Sequence, residues 1–414
     1  MSASTTIVQP EEPKRAADVQ QSPAAQIRPR NIAVDAYRGL VMLLMMAEVL
    51  HLSVIQRSFP GLMVWKILAY NQTHVEWAGL GLHDMIQPSF TFLVGVAIPY
   101  SVYSRIQKGQ SFGKMLTHTL WRSFVLVALG VLLRSLYSPQ TNFTFEDTLS
   151  QIGMGYTFAF LLSFCLPRWQ WVAFWTILFG YWLAWAIYPA PGPGFDYAAV
   201  GVPANWQHNF TGFASHWNKN SNLGQAFDVW FLNLFPRPSR FLFNSGGYLT
   251  LSFIPTLATM LLGLLSGEWL RSCFPAVPIK RFVQTGLLLV TVGALLHFTG
   301  ICPIVKRIWT PSWTLFSGGL CLLLLALFCW VVEVKRHKQF VFPLVVVGTN
   351  SIAAYLMAHL WEDFLIRNLH TNLGYKVFQI FGVALEPLLM GTMVLLVYWV
   401  ALYWMYKNKI FLRI

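Results

Sequence analysis

Residues 36–54 read AYRGLVMLLMMAEVLHLSV, and how this stretch is read decides the fold. Its apolar run follows Arg38-Gly39 and is bounded by charge. A helix rises 1.5 Å per residue, so about 19 residues cover the roughly 30 Å hydrocarbon core of a bilayer. Lipid offers no hydrogen-bond partners, so such a run has to be helical. Comparable runs recur at 84–104, 119–137, 149–166, 170–188, 248–267, 282–300, 312–333, 341–361 and 385–406. Pro167, Pro189, Pro275, Pro303, Pro311 and Pro343 mark the ends of several of them. The expected fold is therefore all-α, a polytopic transmembrane bundle of about ten spans.

Composition supports a membrane protein. The 414 residues are 56% hydrophobic and only 11% charged, whereas soluble domains run near one quarter charged. The 18 Trp and 15 Tyr suit interfacial belts. The net charge of +13 in a soluble protein would point to nucleic acid. Here the cations lie in short loops, about two-thirds of them on one side of the expected bundle, which reads as positive-inside charge with both termini cytoplasmic. Nucleic-acid binding is not expected. Five cysteines form no CxxC pair, which argues against a disulfide framework or a zinc site.

Residues 1–30, rich in Gln, Pro, Ala, Glu and Ser, read as a disordered cytoplasmic tail without an apolar leader. Residues 31–414 read as the membrane domain. Two long loops, 55–83 and 189–247, fall on the extracytoplasmic side. They are rich in Trp, His, Asn and Gly, and loops of that length are commonly functional.

Ionisable groups in or beside spans are costly and mark sites. Asp35 and Arg38, three apart on one helical face, read either as a local ion pair or as a contact to a phosphate. Glu48 lies near the outer end of the first span, with His51 as its expected i+3 partner. The segment HVEWAGLGLHD, residues 74–84, brings two histidines and Asp84 to the point where the chain re-enters the membrane. A histidine there suits proton transfer, and a carboxylate beside it holds its tautomer. In GTNSIAAYLMAH, residues 348–359, Asn350, Ser351, Tyr355 and His359 place hydrogen-bonding groups on an apolar helix; Gln151 is of the same kind. Interhelical bonding is the alternative role for all of these. His74, His83 and Asp84 match no familiar metal spacing, and no metal is expected.

These motifs resemble a known family. VDAYRGLVMLLMM (34–46), then His74-x-x-Trp77-x-Gly79-Leu80-x-x-x-Asp84-x-x-x-Pro88-x-Phe90-x-Phe92-x-x-Gly95, then Asn350-Ser351-Ile352 with His359, are similar to segments of the heparan-α-glucosaminide N-acetyltransferase family within the transmembrane acyltransferases. Phe227-Asp-x-Trp230-Phe-Leu-Asn233-x-Phe-Pro236-Arg237 looks typical of bacterial relatives, which implies an inner-membrane location. The resemblance implies acetyl transfer from acetyl-CoA to an amino sugar or glycan on the extracytoplasmic side. His74 matches the family's catalytic histidine and Asp84 its nearby aspartate. The family's asparagine near the end of the opening helix falls at Val49, beside Glu48.

The expected mechanism makes His74 the general base, oriented by Asp84 or Glu48, with Asn350, Ser351 or His359 donating to the thioester oxygen. Asp35, Arg38, Trp77, Gln151, Trp230, Asn233 and Arg237 are the expected substrate-side residues. Besides acetyl-CoA, the acceptor and the bilayer, a second copy in a homodimer stays open as a partner. A secondary transporter or flippase is the rival reading; against it, no internal repeat is visible and the polar residues cluster at one face.

Overall fold

The structure is a computed structural model that describes residues 31–273 and 276–412. The tail expected at 1–30 lies outside the described residues. Among these there is no β-strand, only an isolated bridge between Ala78 and Val305.

The chain opens with α1 (Ile32–Met46), which a 3-10 turn prolongs to Leu50. His51 takes a left-handed conformation (φ 45°) and turns the chain into α2 (Leu52–Ser58), at 43° to what precedes it. The short α3 (Met63–Gln72) returns towards α1 and leads into the 73–81 loop. A 3-10 turn at Leu82–Met85 then opens α4 (Ile86–Gln107). Next come α5 (Phe112–Ser135), α6 (Thr148–Leu162) and α7 (Pro167–Ile187). Their starts are written locally: the Ser111 and Asp147 side chains accept from the backbone N–H of Lys114 and Leu149, and Pro167 occupies the first turn of α7.

The long 189–247 segment carries one short helix, α8 (Leu223–Phe231), capped by Asn222. Then follow α9 (Phe253–Ser272), α10 (Ile279–Phe298) and α11 (Pro311–Cys329), the last ending in a π turn. The pair α12 (Phe342–Thr349) and α13 (Ser351–Leu360) is bent by 79° at Asn350. The described chain closes with α14 (Glu362–Leu373), α15 (Tyr375–Phe378) and α16 (Glu386–Lys407).

Seven of these helices are long and apolar enough to cross a membrane, or up to nine if each bent pair counts as one span. The sequence expectation was about ten. The difference is the run 149–166, which forms α6 with only 15 helical residues because Leu162 is followed by a turn into Pro167. That gives roughly 22 Å of helix, short of the hydrocarbon thickness.

Small residues let the helices approach closely, as expected where lipid removes the hydrophobic drive between them. Gly95 of α4 lies against Met260 of α9, and Gly263 of α9 against Phe92 of α4. Gly39 of α1 meets the backbone of Leu344 in α12, and Gly348 meets that of Asp35. Gly391 of α16 packs on Val49 and Leu50.

Candidate active site

The site is built around Asp84, whose side chain is 2% exposed. The 3-10 turn at the start of α4 points it back under the 73–81 loop. Its Oδ2 accepts from the backbone N–H of Val75 (3.2 Å) and of Gly81 (3.1 Å). Its Oδ1 lies 2.8 Å from His74 Nδ1. An ionised carboxylate can only accept, so Nδ1 carries the proton and Nε2 keeps a lone pair. The His74 side chain is 37% exposed, so the ring can be reached from the cavity.

A third group comes from far along the chain. The loop between α10 and α11 docks on the 73–81 loop: Gly79 donates its N–H to Ile304 O (3.2 Å), and the Arg307 guanidinium donates to Val75 O and Gly246 O. This clamp places buried Lys306 with Nζ 3.4 Å from Asp84 Oδ1, 3.1 Å from His74 Nδ1 and 3.5 Å from His74 Nε2. Since Nδ1 already bears a proton, the ammonium does not donate to it; it sits beside the ring as a fixed positive charge. Burial lowers the His74 pKa below the ordinary imidazole value, and the Lys306 charge works the same way, against the Asp84 hydrogen bond. Burial brings Lys306 down to about 8, with Asp84 holding it up. At neutral pH the imidazole is neutral and the amine is charged.

His83 lies next to this group, its ring 4.6 Å from that of His74. Its Nε2 is 2.6 Å from Glu48 Oε1. His359 donates Nδ1–H to Tyr355 O (2.9 Å) and stacks on the Tyr355 ring. Tyr355 OH donates to Asp147 Oδ2 (3.3 Å), and Arg134 Nε is 3.5 Å from the same oxygen. All these residues line one cavity of about 330 Å³, together with Glu146 and Tyr248. Burial raises the Glu146 pKa, partly offset by Arg134. Among the described residues no group of three or more His, Cys, Asp or Glu side chains is arranged to hold a metal.

Of the residues singled out from sequence, the fold brings His74, His83, Glu48, Tyr355 and His359 to the lining of this cavity, with Asp84 buried behind His74. The expected Glu48–His51 pair does not form. The left-handed turn at His51 carries its ring away to Glu362 (3.5 Å), and Glu48 pairs with His83 instead. Asn350 and Ser351 lie outside the cavity. Asn350 is fully buried at the bend between α12 and α13, where its amide donates to Ile410 O (2.9 Å) and accepts from Leu412 N (3.1 Å). Those partners follow the end of α16 opposite to Gly391, roughly 24 Å of helix from the Val49 level beside the cavity. Neither Asn350 nor Ser351, which starts the helix beside it, lines the His74 cavity.

The other expected binding residues do not line this cavity. Asp35 and Arg38 pair at 3.6 Å on α1. Gln151 joins α6 to α9 through Leu249 O and Thr256. Trp77 is buried and donates to Trp217 O, fastening the 189–247 segment. Asn233 bonds the backbone of Val229 and Phe241, and Arg237 bonds the carbonyls of Leu232 and Phe143. Trp230 is exposed among Phe227 and Phe231. Sequence reasoning missed Lys306. Its signal was Lys306-Arg307 standing together in a short loop on the expected cation-poor side.

No family model matches the chain. It is 23% identical over 384 residues to human heparan-alpha-glucosaminide N-acetyltransferase, covering 81% of this chain and 54% of that protein. The mouse protein of the same name is 24% identical over 379 residues, 80% of this chain and 53% of its own length. The chain thus spans about half the length of these curated relatives.

Proposed function

We propose that this chain, a relative of the heparan-alpha-glucosaminide N-acetyltransferases, is a membrane-embedded acetyltransferase. It moves the acetyl group of acetyl-CoA to the amine of an amino sugar at the extracytoplasmic end of the bundle, in a cytoplasmic membrane. The observation that carries this reading is His74, held by Asp84 in the tautomer that leaves Nε2 basic, with the Lys306 cation at its side.

The acceptor nitrogen attacks the thioester carbonyl. A C–N bond forms and His74 Nε2 takes the proton the nitrogen sheds; the C–S bond then breaks and the departing sulfur receives that proton from His74. Negative charge gathers on the carbonyl oxygen between these events, and Lys306 is the cation placed to meet it. His359 and the His83–Glu48 pair line the cavity beside it. Two carboxylates, Glu48 and Glu146, suit an acceptor that arrives with an amine and hydroxyls. The low His74 pKa keeps the base in its active form at neutral pH.

The test is transfer of labelled acetyl from acetyl-CoA to a panel of amino sugars by purified protein. Wild type transfers label, and His74→Ala loses about 10²-fold or more of kcat. Absence of transfer to every amino sugar by folded wild-type protein overturns the reading.

A further inference from the structure

One wall of the catalytic cavity is unexplained by transfer to a soluble sugar. Met42 and Met45 of α1, Ile86 and Phe90 of α4 and Leu133 of α5 make it apolar. Met42 and Phe90 lie six residues deeper than Glu48 and Asp84, about 9 Å further along the chain of their helices. The cavity therefore runs from a polar end, rich in carboxylates, to a hydrocarbon end inside the bundle.

Its flanks are α5 and α13. Helix α5 packs along α6, whereas α13 packs on α1, α12, α14 and α16; among the described residues α5 and α13 touch only slightly, bridged where Arg134 and Tyr355 both reach Asp147 Oδ2. At the mouth Tyr137 OH reaches Asp363 Oδ2 at 3.3 Å through an exposed hydrogen bond. Phe124, Leu132 and Leu136 on and just after α5, and Leu360 and Phe364 at the other flank, are exposed apolar side chains on membrane-embedded or interfacial helices. A gap bordered this way opens sideways to lipid.

We propose that the gap between α5 and α13 is a lateral portal, and that the acceptor is an amino sugar carried on a membrane lipid. The sugar amine sits at His74 and the hydrocarbon chain passes out along Leu133 into the bilayer. This inference rests on the acetyltransferase reading. Two features select such an occupant. The carboxylates Glu48 and Glu146 complement an amine at the polar end, and the methionine and phenylalanine wall complements hydrocarbon at the other. The volume of about 330 Å³ is at the low end for a ligand pocket, enough for a sugar but not for a long chain, which has to leave through the gap.

The experiment compares methyl glucosaminide with hexadecyl glucosaminide as acceptors, using the full chain in phosphatidylethanolamine–phosphatidylglycerol nanodiscs. Wild type prefers the hexadecyl probe in kcat/KM by about tenfold or more, since a membrane-confined acceptor is concentrated at the portal. Leu133→Trp, which fills the exit, brings that preference to near unity. Leu288→Trp, on the lipid-exposed face of α10, leaves it at the wild-type value and controls for partitioning into the disc. A preference that survives Leu133→Trp overturns the portal. So does a rise in the KM for acetyl-CoA that is equal with both probes, which assigns the apolar wall to the donor. Failure of wild type to acetylate either probe or any soluble amino sugar instead defeats the acetyltransferase reading itself, so the two failures are distinguishable.

Discussion

Replacing Asp84 by asparagine keeps the size of the side chain but frees His74 to move its proton to Nε2. The base then points its lone pair away from the cavity. Asp84→Asn is expected to lower kcat by about 10²–10⁴-fold, the contribution of a general base that is lost when its tautomer is wrong, with a small change in KM. Steady-state kinetics on folded protein decide this; equal loss in kcat and stability with normal residual pH dependence would speak for a purely structural role. Lys306 makes a second prediction. His74 must be neutral, and its pKa is depressed, so activity rises with pH through a value below the ordinary imidazole pKa. Lys306 must be charged, so activity falls as pH climbs through about 8. The profile of kcat/KM is thus a bell whose limbs belong to the coupled group. Lys306→Gln removes the upper limb. It also shifts the lower limb to higher pH, because the neighbouring positive charge that disfavours imidazolium has gone. A variant that keeps both limbs in place would assign them elsewhere.

At the scale of elements, the bundle depends on contacts with no room for a Cβ. A methyl group on Gly39 would lie 1.8 Å from Leu344 O. Gly39→Ala is therefore expected to cost about 1–3 kcal/mol as α1 and α12 are forced apart, read as a lower Tm in a thermal-shift measurement. Gly180, in α7, has open space around it, and Gly180→Ala should match or slightly exceed the wild-type Tm. The bend at Asn350 offers a different test. Asn350→Ala strands the backbone groups of Ile410 and Leu412 and should cost about 1–3 kcal/mol of stability. Turnover by the folded fraction should stay within a few-fold of wild type, since Asn350 does not reach the cavity; a kcat loss as deep as that of His74→Ala would return Asn350 to the chemistry.

For the whole molecule, the arrangement of charge sets an expected topology. Lys and Arg concentrate beside the α4–α5 turn, the α9–α10 turn and both termini, which predicts that these lie on the cytoplasmic side. The His74 cavity and the 189–247 segment then face away from it. In a Cys165→Ser background, Lys108→Cys should resist a membrane-impermeant maleimide applied from outside intact cells, while Asn205→Cys should react. Both positions are exposed, so reactivity reports sidedness. The reverse pattern would invert the protein and place acceptor acetylation in the cytoplasm.

Much of this protein was legible in one dimension because the bilayer is a demanding solvent. Apolar runs near 36–54, 84–104 and 312–333 have to be helices wherever they end up, and Ser111, Asp147 and Pro167 announce helix starts by chemistry confined to a single turn. His74 and Asp84 could be paired on paper because ten residues and one tight turn separate them. Partners chosen across space were not readable. Lys306 is 232 residues from His74 and arrives only because Arg307 and Ile304 clamp one loop to another. Glu48 looked bound to His51, its neighbour on an ideal helix, until a single left-handed residue broke the helix and handed Glu48 to His83. A polar side chain in an apolar run has to bond to something; for Asn350 sequence left a substrate and a neighbouring segment both open, and the fold pairs it with the backbone of Ile410 and Leu412. Local propensity and solvent decide elements; which elements meet is decided by packing, which depends on every helix at once.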